Sequence, residues 1–155
     1  MSWLIWIAFL VMTLALQSAA GSHLAIKGIK PDFVLIGVVA FALRKGSVAG
    51  EVVGFLAGLI EDCLSFPLLG LNGFSKCLTG FLAGWRQSWN KSIILQLMVI
   101  LMASIVNSFI ILGLSSLFLP QAYFHPSVIS QIIIPENLYN VGVGTLFFLF
   151  VKLIL

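Results

Sequence analysis

Long apolar stretches dominate the pattern of hydrophobic and polar positions along this chain. One uncharged stretch, Ile93 to Leu119, exceeds the roughly 20 residues that an α-helix needs to cross the hydrocarbon core of a bilayer. Glycines, prolines and charged pairs separate the stretches, and these residues interrupt lipid-exposed helices. The pattern therefore predicts an all-α integral membrane protein with six transmembrane helices, forming a single polytopic domain over residues 1–155.

The six predicted helices run from Trp3 to Ala20, from Pro31 to the residue before Arg44, from Ser47 to Leu64, from Gly70 to Trp85, from Ser92 to Leu119 and from Pro135 to Leu155. The first is interpreted as a retained helix rather than a secretory signal, because no Lys or Arg precedes Lys27. The second is short for a full crossing. The segment from Gln121 to Ile134 combines proline breaks with apolar residues, so we expect it to rest in the membrane interface.

Charge is scarce, and its distribution predicts an orientation. Only 8% of the residues are charged and 61% are hydrophobic, whereas about a quarter of a soluble domain is charged. This composition excludes a water-soluble fold, and the scattered basic residues exclude a nucleic-acid-binding patch. Cytoplasmic termini place Arg44, Lys45, Arg86, Lys91 and Lys152 inside, against Lys27 and Lys30 outside. The positive-inside rule therefore predicts that both termini are cytoplasmic.

The third predicted helix carries a stripe of four glycines at four-residue intervals, Gly46, Gly50, Gly54 and Gly58. Such a stripe lets another backbone approach closely. Packing within this chain is the first interpretation, and docking of another protein's helix is the second. On the same helix, Glu51 and Asp62 return to nearly the same face. Because a charge at the bilayer centre costs about 2.5 to 3.5 kcal/mol, they are expected to face protein, a wet cavity or an interface.

Lys76 lies inside the fourth predicted helix. The turn around Pro67 makes the third and fourth helices antiparallel, which brings Lys76 close to the depth of Asp62. We therefore predict an ion pair between Lys76 and Asp62, with Glu61 as the alternative partner. The polar residues of the fifth helix also need partners in the bundle, and these are Ser104, Asn107 and Ser108.

No catalytic or metal site is predicted. No serine stands with a base and an oxyanion donor at a recognisable spacing, so the chain is not expected to be an enzyme. His23 and His125 have no His or Cys at ligand spacing, so neither a metal nor another cofactor is expected. Glu51 follows closely on the charged residues that end the second helix, which favours an interfacial acid over a proton-coupled one.

The middle of the chain carries a recognisable order of residues. Pro31 and Asp32 open the second helix, followed by Gly46, Gly50, Gly54, Phe55, Gly58, Leu59 and Asp62, and then by Pro67, Gly70, Leu71 and Asn72. From Pro31 to Trp85 this order resembles the bacterial rod shape-determining membrane protein family MreD. The chain departs from the usual pattern in Glu61 beside Asp62 and in Lys76.

The resemblance implies a non-catalytic scaffold of the bacterial elongation complex in the inner membrane. It implies binding to MreC and a link from MreB to the elongation-specific glycosyltransferase and transpeptidase. The fold is expected to be similar to the substrate-binding S components of vitamin transporters. Partner helices would dock on the glycine and carboxylate faces of the third and fourth helices, at Gly46, Gly50, Gly54, Gly58, Asp62, Pro67, Gly70 and Asn72.

Two other functions stay open from the sequence. A substrate-binding subunit of a vitamin or small-molecule transporter requires a polar pocket near the midplane, lined by Glu51, Asn72 or Asn107. An ion-coupled exporter requires a titrating acid, for which Glu51 and Asp62 are the candidates.

Overall fold

Six α-helices make up almost all of the part of the chain that the computed structural model describes, which is residues 3–20, 29–65, 69–85, 92–118 and 129–154. They are α1 Trp3–Ala20, α2 Phe33–Lys45, α3 Ser47–Ser65, α4 Leu71–Trp85, α5 Ile93–Phe118 and α6 Ile134–Ile154. A short π-helical turn, Ile129–Ile133, leads into α6. The prediction of an all-helical chain with six helices is confirmed, and the bounds agree to within two residues.

Some predictions concern residues outside this described part. They are the turn around Pro67, both histidines, Lys27, Arg86, Lys91 and positions 121–128 of the expected interfacial segment. The remaining positions of that segment form the π-helical turn and the first residue of α6.

The short helix α2 forms the centre of the bundle. Every residue from Val34 to Leu43 is buried, and α2 contacts each of the other five helices. Because neighbours cover α2 on all sides, its sequence is apolar all round and shows no polar face. Its 13 residues span only about 20 Å, against roughly 30 Å for the hydrocarbon core of a bilayer.

Helices α3 and α4 pack backbone against backbone. The closest approaches pair Gly50 with Gly80, Gly54 with Lys76, Gly58 with Asn72 and Gly84 with Gly46. The order of these pairs makes the two helices antiparallel, as predicted. A Cβ atom on Gly50 would lie 2.6 Å from the carbonyl oxygen of Gly80, so only glycine fits there. The glycine stripe is therefore a packing surface within this chain.

The outward faces of the helices are apolar. Large hydrophobic side chains on five helices are between 49% and 69% exposed, for example Val11, Leu56, Phe74, Met102 and Leu146. Two of the described helical stretches, Ile93–Phe118 and Ser130–Leu149, are long and apolar enough to cross a membrane. Such a continuous apolar exterior is rare on soluble monomers.

An aromatic cluster joins three helices at the end of the bundle where α1 begins. The ring of Trp6 packs edge-on against Phe9 and Phe41, with centroids 5.7 Å and 5.4 Å apart. Phe9 in turn stacks on Phe147 of α6 at 4.9 Å. These contacts fix α1 and α6 against the central helix, and the polar side chains of the interior collect at the opposite end.

Candidate functional site

The ammonium group of Lys76 lies at the centre of the polar interior. The Lys76 side chain is fully buried, and its Nζ atom is 2.8 Å from Oδ2 of Asp32 and 2.7 Å from Oε2 of Glu61. Nζ also donates a hydrogen bond of 3.1 Å to Oδ1 of Asn72, one helical turn earlier. An ammonium group has three donors, and here three oxygen atoms surround it.

Asp32 holds the start of the central helix α2. Its Oδ1 atom accepts from the backbone N–H of Leu35 at 2.7 Å, which makes Asp32 the N-cap of α2. The backbone N–H of Asp32 donates to Oδ1 of Asn140 on α6 at 2.7 Å, and that of Phe33 donates to Oε1 of Gln17 on α1 at 2.9 Å. Side chains therefore satisfy backbone N–H groups that no residue within α2 can satisfy.

Asp62 holds the start of α4 in the same way. Its two oxygen atoms accept from the backbone N–H groups of Gly70, Asn72 and Gly73 and from the Asn72 side-chain amide, at 2.9 to 3.1 Å. Gly70 has a φ of 100°, a conformation that glycine adopts readily. Asp62, Gly70 and Asn72 thus act together in joining α3 to α4.

The expected ion pair between Asp62 and Lys76 is wrong, and the alternative partner, Glu61, takes its place. Successive residues of an α-helix point about 100° apart, so Glu61 and Asp62 project from α3 in different directions. Asp62 faces the N–H groups that precede and begin α4, while Glu61 faces the ammonium of Lys76.

The polar contacts continue into α5 and α6. The Nδ2 group of Asn140 donates to the hydroxyl oxygen of Ser104 at 2.8 Å. The hydroxyl of Ser75 donates to Oδ1 of Asn107 at 2.6 Å. The prediction that polar residues of α5 need partners is confirmed for Ser104 and Asn107, two of the three residues that it named. A connected set of residues, joined by side-chain contacts and by the backbone N–H of Asp32, therefore reaches from the start of α4 to α5. We call it the polar network: Asp32, Glu61, Asp62, Asn72, Lys76, Ser104 and Asn140.

Sequence reasoning missed three residues that make polar contacts at or near the start of α2: Asp32, Gln17 and Asn140. Asp32 stands just before an apolar helix, which is an N-cap signal, but nothing local shows that it also meets Lys76. Gln17 and Asn140 are polar residues in otherwise apolar helices, and that is the signal that marks them. Their partner, the start of α2, is visible only in the assembled bundle.

The three residues proposed for a transporter pocket do not share one site. Glu51 is half-exposed, and its Oε1 atom lies 4.0 Å from the Sγ atom of Cys77. Asn72 is bound to Asp62 and Lys76, and Asn107 accepts from Ser75. Each polar group is thus used in a separate internal contact.

A groove of about 290 Å³ lies between α4 and α5, and its lining is apolar apart from Thr79. The Thr79 hydroxyl donates to the carbonyl oxygen of Ser75 in its own helix. The groove therefore offers none of the convergent polar groups that orient a small polar ligand. Its other lining residues are Leu82, Ala83, Met98, Val99, Met102, Ala103 and Val106.

Comparison with known proteins identifies the family. The family model described as rod shape-determining protein MreD matches residues 1–155, the whole chain. Searches of curated proteins and of solved structures gave no match. The resemblance seen between Pro31 and Trp85 is thereby confirmed and extends over all six helices. The chain belongs to the MreD family of rod shape-determining membrane proteins.

Proposed function

We propose that this chain is a non-catalytic, multi-pass scaffold of the bacterial elongation complex in the inner membrane, with both termini in the cytoplasm. The observation that carries this proposal is that apolar side chains lie on the outside of the bundle and charged side chains lie inside it, the reverse of a soluble protein. Apolar side chains cover the outside of the bundle, while Lys76, Asp32, Glu61 and Asp62 are each buried and use one another and nearby amides as partners. Such a chain has apolar helix faces, rather than a polar cleft, to offer other proteins in the bilayer.

The proposed partner is MreC, through which the chain links MreB to the elongation-specific glycosyltransferase and transpeptidase. Because α4 covers the glycine face of α3, we place the proposed docking face elsewhere on α3. The opposite flank of α3 carries an outer stripe of exposed apolar side chains at four-residue intervals, Val48, Val52, Leu56, Ile60 and Leu64. We propose that a transmembrane helix of MreC packs on this outer stripe.

The spacing of the outer stripe supports this choice. Its positions fall two residues after the glycines, and two residues rotate an α-helix by about 200°, so the stripe lies almost opposite α4. Residues four apart form a continuous ridge, and such ridges are the units that pack into the grooves of a neighbouring helix. The members of the stripe are 48% to 70% exposed.

Site-specific photocrosslinking in living cells tests the proposed contact. A photoreactive amino acid at Leu56 should capture MreC, whereas the same residue at Leu146 of α6, which is also exposed on the apolar exterior, should capture little. Depletion of the chain should also turn rod-shaped cells round. Rods that persist after depletion would refute the shape function, and capture of MreC from Leu146 but not from Leu56 would refute the docking face alone.

A further inference from the structure

We propose that the polar network holds one proton, on the carboxyl group of Glu61, and that loss of this proton loosens the packing of α3 against α2 and α4. The geometry behind this proposal is two carboxyl groups on a single ammonium. Lys76 Nζ contacts Asp32 and Glu61 at nearly equal distances. One positive charge balances one carboxylate, and a second ionised carboxylate would leave a buried net negative charge.

The contacts of the two carboxyl groups decide which one keeps the proton. Asp32 has a hydrogen-bond donor at each oxygen atom, the N–H of Leu35 at Oδ1 and Lys76 at Oδ2. It also lies at the N-terminus of α2, where the helix dipole favours a negative charge. For Glu61, Lys76 is the one polar partner in the described part of the chain, and it lies at Oε2. A carboxylate charge at position 32 therefore has more donors around it than one at position 61.

The other charged groups around Glu61 act in the same direction. Asp62, next to it on α3, turns its two oxygen atoms to four N–H donors and supplies no positive charge. Glu136, in the first turn of α6, is an acid and supplies no positive charge either. Lys30 is exposed, and neither α1 nor α5 contains a charged residue. Each further negative charge makes ionisation of Glu61 less favourable.

The sign of the pH dependence follows from this arrangement. The folded bundle favours neutral Glu61, whereas water around an unfolded chain favours its ionised form. Raising the pH therefore draws the proton away and destabilises the folded state. The protein would respond to alkaline conditions through a group that solvent barely touches, since Glu61 is 7% exposed.

Infrared spectroscopy of the purified full chain in lipid nanodiscs tests this proposal without its partners, so the result is independent of the scaffold function. At neutral pH the wild type should show the carbonyl stretch of a protonated carboxylic acid, and Glu61→Gln should lack it. Glu51→Gln, on the same helix but outside the polar network, should keep it. Glu136→Gln should also keep it, which separates Glu61 from the half-buried acid in the first turn of α6.

Thermal unfolding gives the second measurement. As the pH rises from about 4.3, the ordinary pKa of a glutamate in water, to about 8, the melting temperature should fall further for the wild type and for Glu51→Gln than for Glu61→Gln. Absence of the carboxylic acid band from the wild type would overturn the proposal even if Glu61→Gln failed to fold. A band that survives in Glu61→Gln would overturn it as well.

Discussion

The Nζ atom of Lys76 lies 2.8 Å from the Oδ2 atom of Asp32, and this contact ties the fourth helix to the start of the central one. Asp32 is also the N-cap of α2, so the same carboxylate both begins a helix and neutralises a buried charge. The contact explains how a lysine can lie fully buried in a chain with so few charged residues. It also makes the stability of the bundle sensitive to changes at a few positions.

Removing the ammonium should destabilise the bundle strongly. Lys76→Met keeps an unbranched side chain one atom shorter but leaves the carboxylate of Asp32 without its cation. We expect a loss of about 3 to 5 kcal/mol in the free energy of unfolding, since a buried charge without a partner is costly. Chemical unfolding in detergent measures the loss. Lys30→Met, at an exposed position, is the control and should change stability by less than about 0.5 kcal/mol.

The α3–α4 contact should not tolerate a methyl group at Gly54. A Cβ atom there would meet the backbone carbonyl of Lys76, which cannot move without separating the helices. We expect Gly54→Ala to cost about 1 to 3 kcal/mol. Gly142→Ala on α6 is the matched control, because its Cβ would meet nothing within 4 Å, and it should stabilise by up to about 1 kcal/mol. Equal unfolding free energies for the two variants would contradict the packing described here.

Asn140 should couple α6 to α2 and α5. Asn140→Ala leaves the backbone N–H of Asp32 without its acceptor, at a cost of about 1 to 3 kcal/mol. Combined with Ser104→Ala, its effect should be non-additive by about 0.5 kcal/mol or more, because the two side chains are hydrogen-bonded. Ser18→Ala, on the exposed side of α1, should add independently to Asn140→Ala.

The start of α4 should fray when Asp62 loses its charge. Asp62→Asn keeps the shape of the side chain but offers one acceptor oxygen where the carboxylate offers two. The backbone N–H groups of Gly70 and Gly73 share Oδ2, so their hydrogen exchange should accelerate by at least about tenfold, equivalent to about 1.4 kcal/mol. Exchange at Leu35, which Asp32 caps, should stay unchanged. Uniform acceleration throughout the chain would instead indicate global destabilisation.

The sequence predicted the helices well because each is a long apolar stretch with clear interruptions. The sequence also predicted a closely packed helix pair from Gly50, Gly54 and Gly58, since glycines at four-residue intervals are typical of close helix packing in membrane proteins. The stripe left two interpretations open, packing within this chain and docking of another protein's helix. In the structure it packs against α4 of the same chain.

The partners within the interior were harder to predict, because they depend on rotation and on distant residues. Glu61 and Asp62 are neighbours in sequence, and a small rotation of α3 decides which of them meets Lys76. Asp32 lies far from Lys76 along the chain, so no periodicity connects them. The central position of α2 could not be predicted either, because a helix that is apolar all round has the same sequence pattern whether lipid or protein surrounds it.

The short, enclosed helix α2 has a consequence for how the protein is made. With 13 residues and an aspartate at its start, α2 is a poor candidate for stable insertion on its own. Lys76, the cation that neutralises that aspartate, is synthesised only after α3 has emerged. The first helices must therefore be protected during membrane insertion until α4 has been synthesised. A nascent chain that stops before Lys76 should remain accessible to the machinery that inserts or degrades it.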